Sequence, residues 1–239
     1  MISRSINSTD SLKRNSPSEG VLWLPIHQKD KVIEKAASLK SQEIRRIRVG
    51  INCKNFHDAE GKAWYDWLIP FLGKQFDLIL TFEADFENPG KKSSCYYSFF
   101  EMIEHFTIGK TRYFDTIEVR RSAPYHTPKN LFSDPLVFSA IWAKSMGIKV
   151  ILGNIQTKDF EWVNRLIKFR LIDNFDFMEI NKEEEDLWSS NTDHYEKTLI
   201  HLLAKNGCTT SIRVSAKPII SLKIYESEFG RSKSIAAIG

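Results

Sequence analysis

The sequence lacks the features that would carry a protein into or across a membrane. It has no apolar run of about 18 residues, the length that a spanning helix needs. Its first residues, MISRSINSTDSLKRNSPSEG, have no apolar core of the kind found in a signal peptide. Its three cysteines, Cys53, Cys95 and Cys208, are too few and too scattered for a disulfide framework. We therefore expect a cytoplasmic protein that does not insert into a membrane and keeps its thiols reduced.

The common cofactor and metal motifs are also missing. No GxGxxG or GxxxxGK[ST] loop follows any apolar run, which removes the main marker of a nucleotide-binding sheet. The histidines show no HExxH or other metal-ligand spacing. The formal net charge is only +4, short of the basic stripe of a nucleic-acid binder. We therefore predict no cofactor, no bound metal and no nucleic-acid partner.

The composition predicts one folded domain behind a short tail. Residues 1–19 are rich in Ser, Asn, Lys and Arg and have almost no apolar periodicity, so we expect a mobile N-terminal tail. Hydrophobic residues make up 42% of the chain and charged residues 27%, which are ordinary globular values. We expect residues 20–239 to form a single domain large enough to need no disulfides.

Seven short apolar runs recur along this domain. They cover residues 21–26, 47–52, 77–82, 115–119, 149–154, 175–180 and 211–215. Continuous apolar runs of this length suit strands of a parallel sheet that are buried on both faces.

Stretches with helical spacing separate these runs. A stripe of Trp64, Trp67, Leu68, Phe71 and Leu72 is followed by Gly73, which predicts a C-cap. Asp134-Pro135 predicts an N-cap and a proline in the first turn, opening a helix that reaches about Met146.

The alternation of strands and helices predicts an α/β fold with right-handed crossovers. An open doubly wound sheet and a closed (β/α)8 TIM-type barrel both fit this order, and the missing glycine-rich loops count against the first. We therefore predict the barrel, at the small end of its size range. Its eighth strand would lie within residues 219–225, with an incomplete or irregular closure near the C-terminus, because SEFGRSKSIAAIG has no clear helical pattern.

Several segments together resemble one protein family. They are VGINCKNFHDAEGKAWYDWLIPFLGKQFDLILTF, YFDTIEVRRSAP, WAKSMGIKVILGN and DFEWVNRLI. The segment they span, Arg48 to Ile180, resembles clan A glycoside hydrolase-like proteins of the β-xylosidase-like type, found in bacterial surface-polysaccharide clusters beside sugar-nucleotide epimerases. The resemblance implies a (β/α)8 barrel with its site at the C-terminal ends of the strands.

The resemblance also implies that the catalytic pair is gone. The family's fourth strand ends in a W-N-E-P-type motif whose Glu is the general acid/base, and the matching positions here are Arg120, Arg121 and Ser122. A later family strand carries the nucleophilic Glu, and Ser215 stands at that position. A family His after the sixth strand is matched by Asn181. Retaining glycosidases need two carboxyl groups about 5–5.5 Å apart, and serine cannot replace either one.

Two acidic groups could act in their place. Glu118 and Glu179 lie within the fourth and sixth strands, and they are either displaced catalytic carboxylates or inner polar residues bonded to Arg or Lys. Glu83, Asp85 and Glu87 follow the third strand, where they would hold sugar hydroxyls, bind a divalent cation through their oxygens or form a solvated acidic loop, and we favour the loop.

A cationic set stands where the family has carboxylates. Arg120, Arg121, Lys217 and Asn154 would meet at the barrel mouth, and guanidinium groups suit carboxylate and phosphate. The set either binds a phosphorylated or uronic sugar, or pairs internally with acidic residues such as Glu118 and Glu83.

The leading hypothesis is a carbohydrate-associated pseudoenzyme that binds a sugar, a sugar phosphate or an anionic glycan intermediate of polysaccharide biosynthesis. The first alternative is an active glycosidase that uses Glu118 and Glu179. The second is a non-catalytic scaffold for a polysaccharide-synthesis enzyme.

Overall fold

Eight parallel strands form one sheet in the computed structural model of the chain. The structure describes residues 21–84, 92–121, 131, 134–181, 191–215 and 222–223. The predicted tail 1–19 and the predicted site residues Asp85, Ser122 and Lys217 lie outside the described residues, as do the side chains of Arg121, Asn181 and Ser215.

Each predicted strand is present. The strands are β1 (Val21–Trp23), β2 (Arg46–Asn52), β3 (Asp77–Ala84), β4 (Phe114–Arg121), β5 (Lys149–Ile155), β6 (Phe177–Asn181), β7 (Ser211–Ser215) and β8 (Leu222–Lys223). The eighth strand falls inside the predicted range 219–225. The sequence therefore predicted the strands to within three residues at either end, except that β8 is only two residues long.

Seven helices are described between the strands. They are α1 (Lys29–Ser41), α2 (Cys53–Phe56), α3 (Gly61–Gly73), α4 (Lys92–Thr107), α5 (Pro135–Ser145), α6 (Phe160–Lys168) and α7 (Asn191–Lys205). The α5 prediction is confirmed: Asp134 is the N-cap, its Oδ1 accepts a hydrogen bond from the Leu136 amide at 3.0 Å, and Met146 is the C-cap. None of the described helices combines the length and the apolar character that a membrane crossing requires.

The role predicted for Gly73 was wrong. Gly73 is the last residue of α3, and Lys74 caps the helix in a right-handed conformation. A Cβ at Gly73 would lie 2.7 Å from the Cβ of Tyr113. Glycine is therefore needed here because another segment approaches closely, not because the backbone turns left-handed.

The two faces of the sheet differ in chemistry. In β2, Ile47, Val49 and Ile51 share one face and are fully buried in the apolar core with the helices. Alternation places Arg48 and Gly50 on the opposite, inner face. The continuous apolar runs predicted strands buried on both faces. The two faces are not equally apolar, because the inner face carries charged and small residues.

The strand order is β7-β6-β5-β4-β3-β2-β1-β8. Consecutive strands are neighbours from β1 to β7, without the reversal of order that defines a doubly wound sheet. Among the described residues no ladder joins β7 to β8. The structure thus establishes a parallel, singly wound α/β sheet.

The sheet is strongly curved. A flat sheet would place β2 and β6, four strand spacings apart, about 19 Å from each other. Yet Arg48 Nη1 on β2 lies 2.5 Å from Glu179 Oε2 on β6. The two side chains meet because the inner face of the sheet is concave.

Candidate functional site

Three charged side chains from alternate strands meet on the inner face. Arg48 donates through Nη1 and Nη2 to the two carboxylate oxygens of Glu179, at 2.5 and 3.1 Å. The same Nη1 lies 3.3 Å from Glu118 Oε2. We call Arg48, Glu118 and Glu179 the inner triad. Thr81 donates its hydroxyl to Glu118 Oε2 at 2.8 Å.

The inner triad is almost fully removed from solvent. Arg48, Glu118 and Glu179 are 4%, 0% and 7% exposed. Burial acts to lower the pKa of Arg48, but attraction to Glu118 and the hydrogen bonds to Glu179 outweigh it, so the pKa lies above its ordinary value. Arg48 therefore stays cationic and holds both carboxylates. This is the inner, bonded arrangement that the sequence left open for Glu118 and Glu179.

Gly153 on β5 makes room for Glu118. A Cβ built on Gly153 would lie 2.0 Å from Glu118 Oε1 and 2.7 Å from its Cδ. Because Glu118 is held by Arg48 and Thr81, its carboxylate cannot move aside without losing those bonds. A glycine is therefore required beside the inner triad.

We expect Gly153→Ala to lower the free energy of unfolding by about 2–3 kcal/mol, as overpacking of a filled interior does. Urea denaturation measures the change. In a Glu118→Ala background the obstructing carboxylate is gone, so Gly153→Ala should then cost less than about 1 kcal/mol. An equal cost in both backgrounds would contradict the assignment of the clash to Glu118.

A second set of polar side chains lies nearer the C-terminal ends of the strands. The register places Asn52, Glu83 and Arg120 at one level on β2, β3 and β4. Arg120 Nη2 lies 3.3 Å from Glu83 Oε2, and the guanidinium carbon lies 5.4 Å from the centre of a Trp23 ring. We call Trp23, Asn52, Glu83, Arg120 and Asn154 the rim.

Asn154 enters the rim through an irregular piece of backbone. It has φ of 58°, in the left-handed region that non-glycine residues seldom adopt. The β5–β6 register shifts between Leu152 and Ile155, which is the mark of a bulge. Bulges re-aim side chains and recur beside functional sites. This irregularity supports a functional reading of the strand ends.

The predicted site residues fall into three groups. The rim brings together Glu83 and Arg120, while Glu118 and Glu179 lie deeper in the inner triad. Arg121 is the last residue of β4. Asn181 and Ser215 are register partners at the ends of β6 and β7.

Sequence reasoning missed Arg48, Thr81 and Trp23. Arg48 carried a usable signal, because it interrupts the apolar run RIRVGIN at a position whose neighbours Ile47 and Val49 are both core residues. A cation at such a position must face a partner. The partners themselves could not be named, because they come from strands 70 and 131 residues away.

Tyr65 on α3 contacts the end of β2 at the rim residue Asn52. The Asn52 amide donates to the Tyr65 hydroxyl at 3.4 Å, and Asn52 in turn caps α2 by accepting from the Asn55 amide at 3.1 Å. Burial raises the pKa of Tyr65 to about 12. The neutral phenol is thus part of the folded structure at the end of β2.

The stability of the protein should fall between about pH 10 and pH 12 because of Tyr65. In this range the unfolded chain loses the phenolic proton while the folded chain keeps it, so raising the pH favours unfolding. We expect a loss of up to about 2–3 kcal/mol, measured by urea denaturation. Tyr65→Phe should remove this loss, whereas Tyr97→Phe, at a side chain that is 71% exposed, should keep it. The same loss in wild type and Tyr65→Phe would contradict the account.

Within the described part of the chain, no three His, Cys, Asp or Glu side chains are placed to hold a metal ion. No family model matches the chain, and a search of curated proteins finds no significant match. The glycoside hydrolase-like family membership therefore stays a prediction that rests on the sequence segments alone.

Proposed function

We propose that the curved sheet is a (β/α)8 barrel with an irregular closure between β7 and β8. Two observations support closure. The contact between Arg48 and Glu179 spans the concave interior. In addition, the seven steps from Ser215 to Leu222 can extend at most about 25 Å, whereas a flat sheet would separate β7 and β8 by about 34 Å. Arg48, Glu118 and Glu179 would then form an inner layer contributed by alternate strands, as barrels of this kind have.

We propose that the protein is a glycoside hydrolase-like, carbohydrate-associated pseudoenzyme that binds a sugar at the rim. The observation that carries this proposal is that Arg48 bonds both Glu118 and Glu179. A displaced nucleophile or acid must present its carboxyl group to the substrate. Here the protein's own guanidinium engages both oxygens of Glu179 and Oε2 of Glu118, and Glu118 is fully buried.

The charges of the inner face favour an uncharged sugar over an anionic one. Between the inner triad and the C-terminal ends of the strands, the described residues provide three guanidinium groups and three carboxylates. The guanidinium groups belong to Arg48, Arg120 and Arg213, and the carboxylates to Glu83, Glu118 and Glu179. Arg48 and Arg120 are paired with these carboxylates, and Arg213 lies level with Glu179 and stacks 3.6 Å from the centre of the Phe177 ring. With three charges of each sign, these side chains have little net charge left for a phosphate or uronate. The Glu83–Arg120 pair and the two rim amides instead provide donors and acceptors for hydroxyl groups.

Thermal unfolding of the full chain with added sugars tests this proposal. We expect neutral sugars such as xylose, glucose and short xylo-oligosaccharides to raise the thermal midpoint in proportion to their binding, and glucuronate, glucose 1-phosphate and phosphate to have no effect. Glu83→Gln should remove the response.

The matched control is Asp115→Asn. Asp115 lies at the opposite end of the sheet, where it is exposed and pairs with Lys149, so this variant should respond like wild type. A response to the anions alone would contradict the proposal and favour a pocket for a phosphorylated or uronic sugar. No response to any sugar would remove the binding function.

An active glycosidase is the second candidate, and one distance favours it. Glu118 Oε2 and Glu179 Oε2 both lie within 3.3 Å of Arg48 Nη1. They are therefore no more than about 6 Å apart, near the spacing of a retaining pair. In this case Arg48 would have to release at least one carboxylate when substrate binds. Turnover assays on Glu118 and Glu179 variants separate the two candidates.

The scaffold hypothesis, with a polysaccharide-synthesis enzyme as partner, stays a prediction, as does the cytoplasmic setting. A scaffold requires an exposed apolar contact surface. Exposed apolar side chains lie on helices α4 and α5.

A further inference from the structure

Exposed apolar side chains are concentrated on two neighbouring helices. Eight large apolar residues are exposed in the described part of the chain, and five of them belong to α4, α5 or the residue that follows each helix. These five are Tyr97, Ile108, Phe138, Ile141 and Met146. The other three, Ile33, Phe169 and Ile200, are scattered over α1, α7 and the end of α6. We call the five, with Phe100 and Trp142 between them, the α4–α5 patch.

Helix α5 has apolar side chains on both its inner and its outer side. Its inner side buries Leu136, Val137, Ala140 and Ala143 completely. Its outer side carries Phe138, Ile141 and Trp142, which share one stripe at helical spacing. A helix that is apolar all round is normally covered on both sides. Phe100 on α4 packs against part of this outer stripe, and Phe138 and Ile141 remain 48% and 40% exposed.

The aromatic side chains of the patch are already ordered. The Phe100 ring lies 4.8 Å from the Phe138 ring and 5.5 Å from the Trp142 ring, both in edge-to-face geometry. Trp142 Nε1 donates to Thr107 Oγ1 at 2.8 Å, which ties α5 to the end of α4. A rigid aromatic surface loses little side-chain entropy when it is covered, which favours its use in an interface.

We infer that the α4–α5 patch is the interface of a homodimer in which a second copy of this chain covers it. The exposed fractions of the five residues are 71%, 53%, 48%, 40% and 44%. With full side-chain areas on the order of 200 Å², they expose about 500 Å² of apolar surface. A stable interface buries about 800 Å² per partner, and about 65% of a homodimer interface is apolar. The patch therefore supplies the apolar area that one half of a dimer needs.

The distribution of charge points to a second copy. The outer stripe of α5 carries no charged side chain, and Lys144 follows at its side. On α4, Glu101 and Glu104 lie at helical spacing between Tyr97 and Ile108, and Glu101 is paired with Lys62. Lys144 is engaged by the Asp173 carbonyl. An uncharged apolar stripe is complementary to itself across a two-fold axis, where residue i meets residue j and j meets i. This inference is independent of the proposed sugar site.

Sedimentation equilibrium of the full chain tests the inference. Between about 1 and 100 μM, the apparent mass should rise from 27.7 kDa towards twice that value. The double variant Phe138→Lys/Ile141→Lys should stay monomeric throughout. The matched control Ile33→Lys/Ile200→Lys changes two side chains of similar exposure, 46% and 49%, on other helices and should dimerise like wild type.

A second measurement covers the case in which the lysine variant fails to fold. Ser145 lies on the outer stripe and is exposed. A Ser145→Cys variant treated with a short thiol-to-thiol crosslinker should give a covalent dimer well above the wild-type yield. Three results would each overturn the inference. They are a wild-type chain that is monomeric at about 100 μM, a folded Phe138→Lys/Ile141→Lys variant that still dimerises, and a Ser145→Cys crosslinking yield equal to that of wild type. A monomer would also leave the patch to a different protein partner.

Discussion

Replacing Arg48 by methionine is expected to lower the free energy of unfolding by about 3–5 kcal/mol, the cost of breaking a buried ion pair from one side. A domain of this kind has about 5–15 kcal/mol in total, so the variant should lose a large share of its stability. Guanidinium chloride denaturation, monitored by tryptophan fluorescence, measures the change.

The loss of stability is large because two buried carboxylates would remain without their guanidinium. Without Arg48, Glu118 and Glu179 would be two like charges in a concave interior, each less than a tenth exposed. Thr81 would still donate to Glu118, but Glu179 would lose both of the bonds that hold it. Methionine fills most of the space of arginine, so the loss would come from charge and not from a cavity.

Two control variants separate charge from packing. Arg46→Met changes an arginine two residues earlier on the same strand and the same face, and it should cost less than about 1 kcal/mol. The triple variant Arg48→Met/Glu118→Leu/Glu179→Leu removes all three charges and should recover most of the lost stability, since apolar replacements of whole buried ion clusters are often neutral or better. A loss below 1 kcal/mol for Arg48→Met alone would contradict the role given to the inner triad.

The second large effect is expected at Asp134, where the substitution Asp134→Ala should cost about 2–4 kcal/mol. Asp134 is fully buried. Its Oδ1 accepts from the Leu136 amide at 3.0 Å as the N-cap of α5, and its Oδ2 accepts from Trp162 Nε1 at 3.0 Å. Alanine would leave both donors without this acceptor, so α5 would lose its cap and α6 its link to α5.

A double-mutant cycle checks the second of these bonds. Trp162→Phe removes the indole donor and keeps an aromatic ring in the core. We expect Asp134→Ala to cost at least about 1 kcal/mol less in the Trp162→Phe background than in wild type. Strictly additive losses in thermal or urea denaturation would show that the bond contributes nothing.

The outer layer of the fold could be predicted from the sequence, because its signals are local. Asp134-Pro135 contains both the cap and the first-turn proline of α5, and the apolar runs contain the core residues of the strands. The alternation alone fitted both a doubly wound sheet and a barrel, and the missing glycine-rich loops favoured the consecutive strand order that is found from β1 to β7. These features depend on residues that are close together in the chain.

The inner face could not be predicted in the same way. Whether Glu118 is a free acid or a bonded one depends on Arg48, which is 70 residues away in the chain. Arg48 lies on β2 and Glu118 on β4, with β3 between the two strands. The pairing of Arg120 with Glu83 joins residues 37 apart and depends on the register of β3 and β4. A family pattern identifies the positions at which the catalytic carboxylates are missing, but it does not say which side chains neutralise each other there.

The cationic set at the strand ends shows the same limit. Arg120 and Arg121 are adjacent in the sequence and suggested one anion pocket. Arg120 is buried, stacked over Trp23 and paired with Glu83. The internal pairing that the sequence offered as the alternative is the arrangement found for this arginine.

Turnover of aryl glycosides tests the central claim most directly, namely that Glu118 and Glu179 are bonded structural carboxylates and not a catalytic pair. The purified chain should be assayed on a panel that includes aryl xylosides, beside Glu118→Gln and Glu179→Gln variants whose folding is verified by thermal unfolding. The account predicts that wild type and both variants release no aglycone above the buffer rate. Turnover by wild type that disappears in either folded variant would contradict it and establish the displaced pair as catalytic.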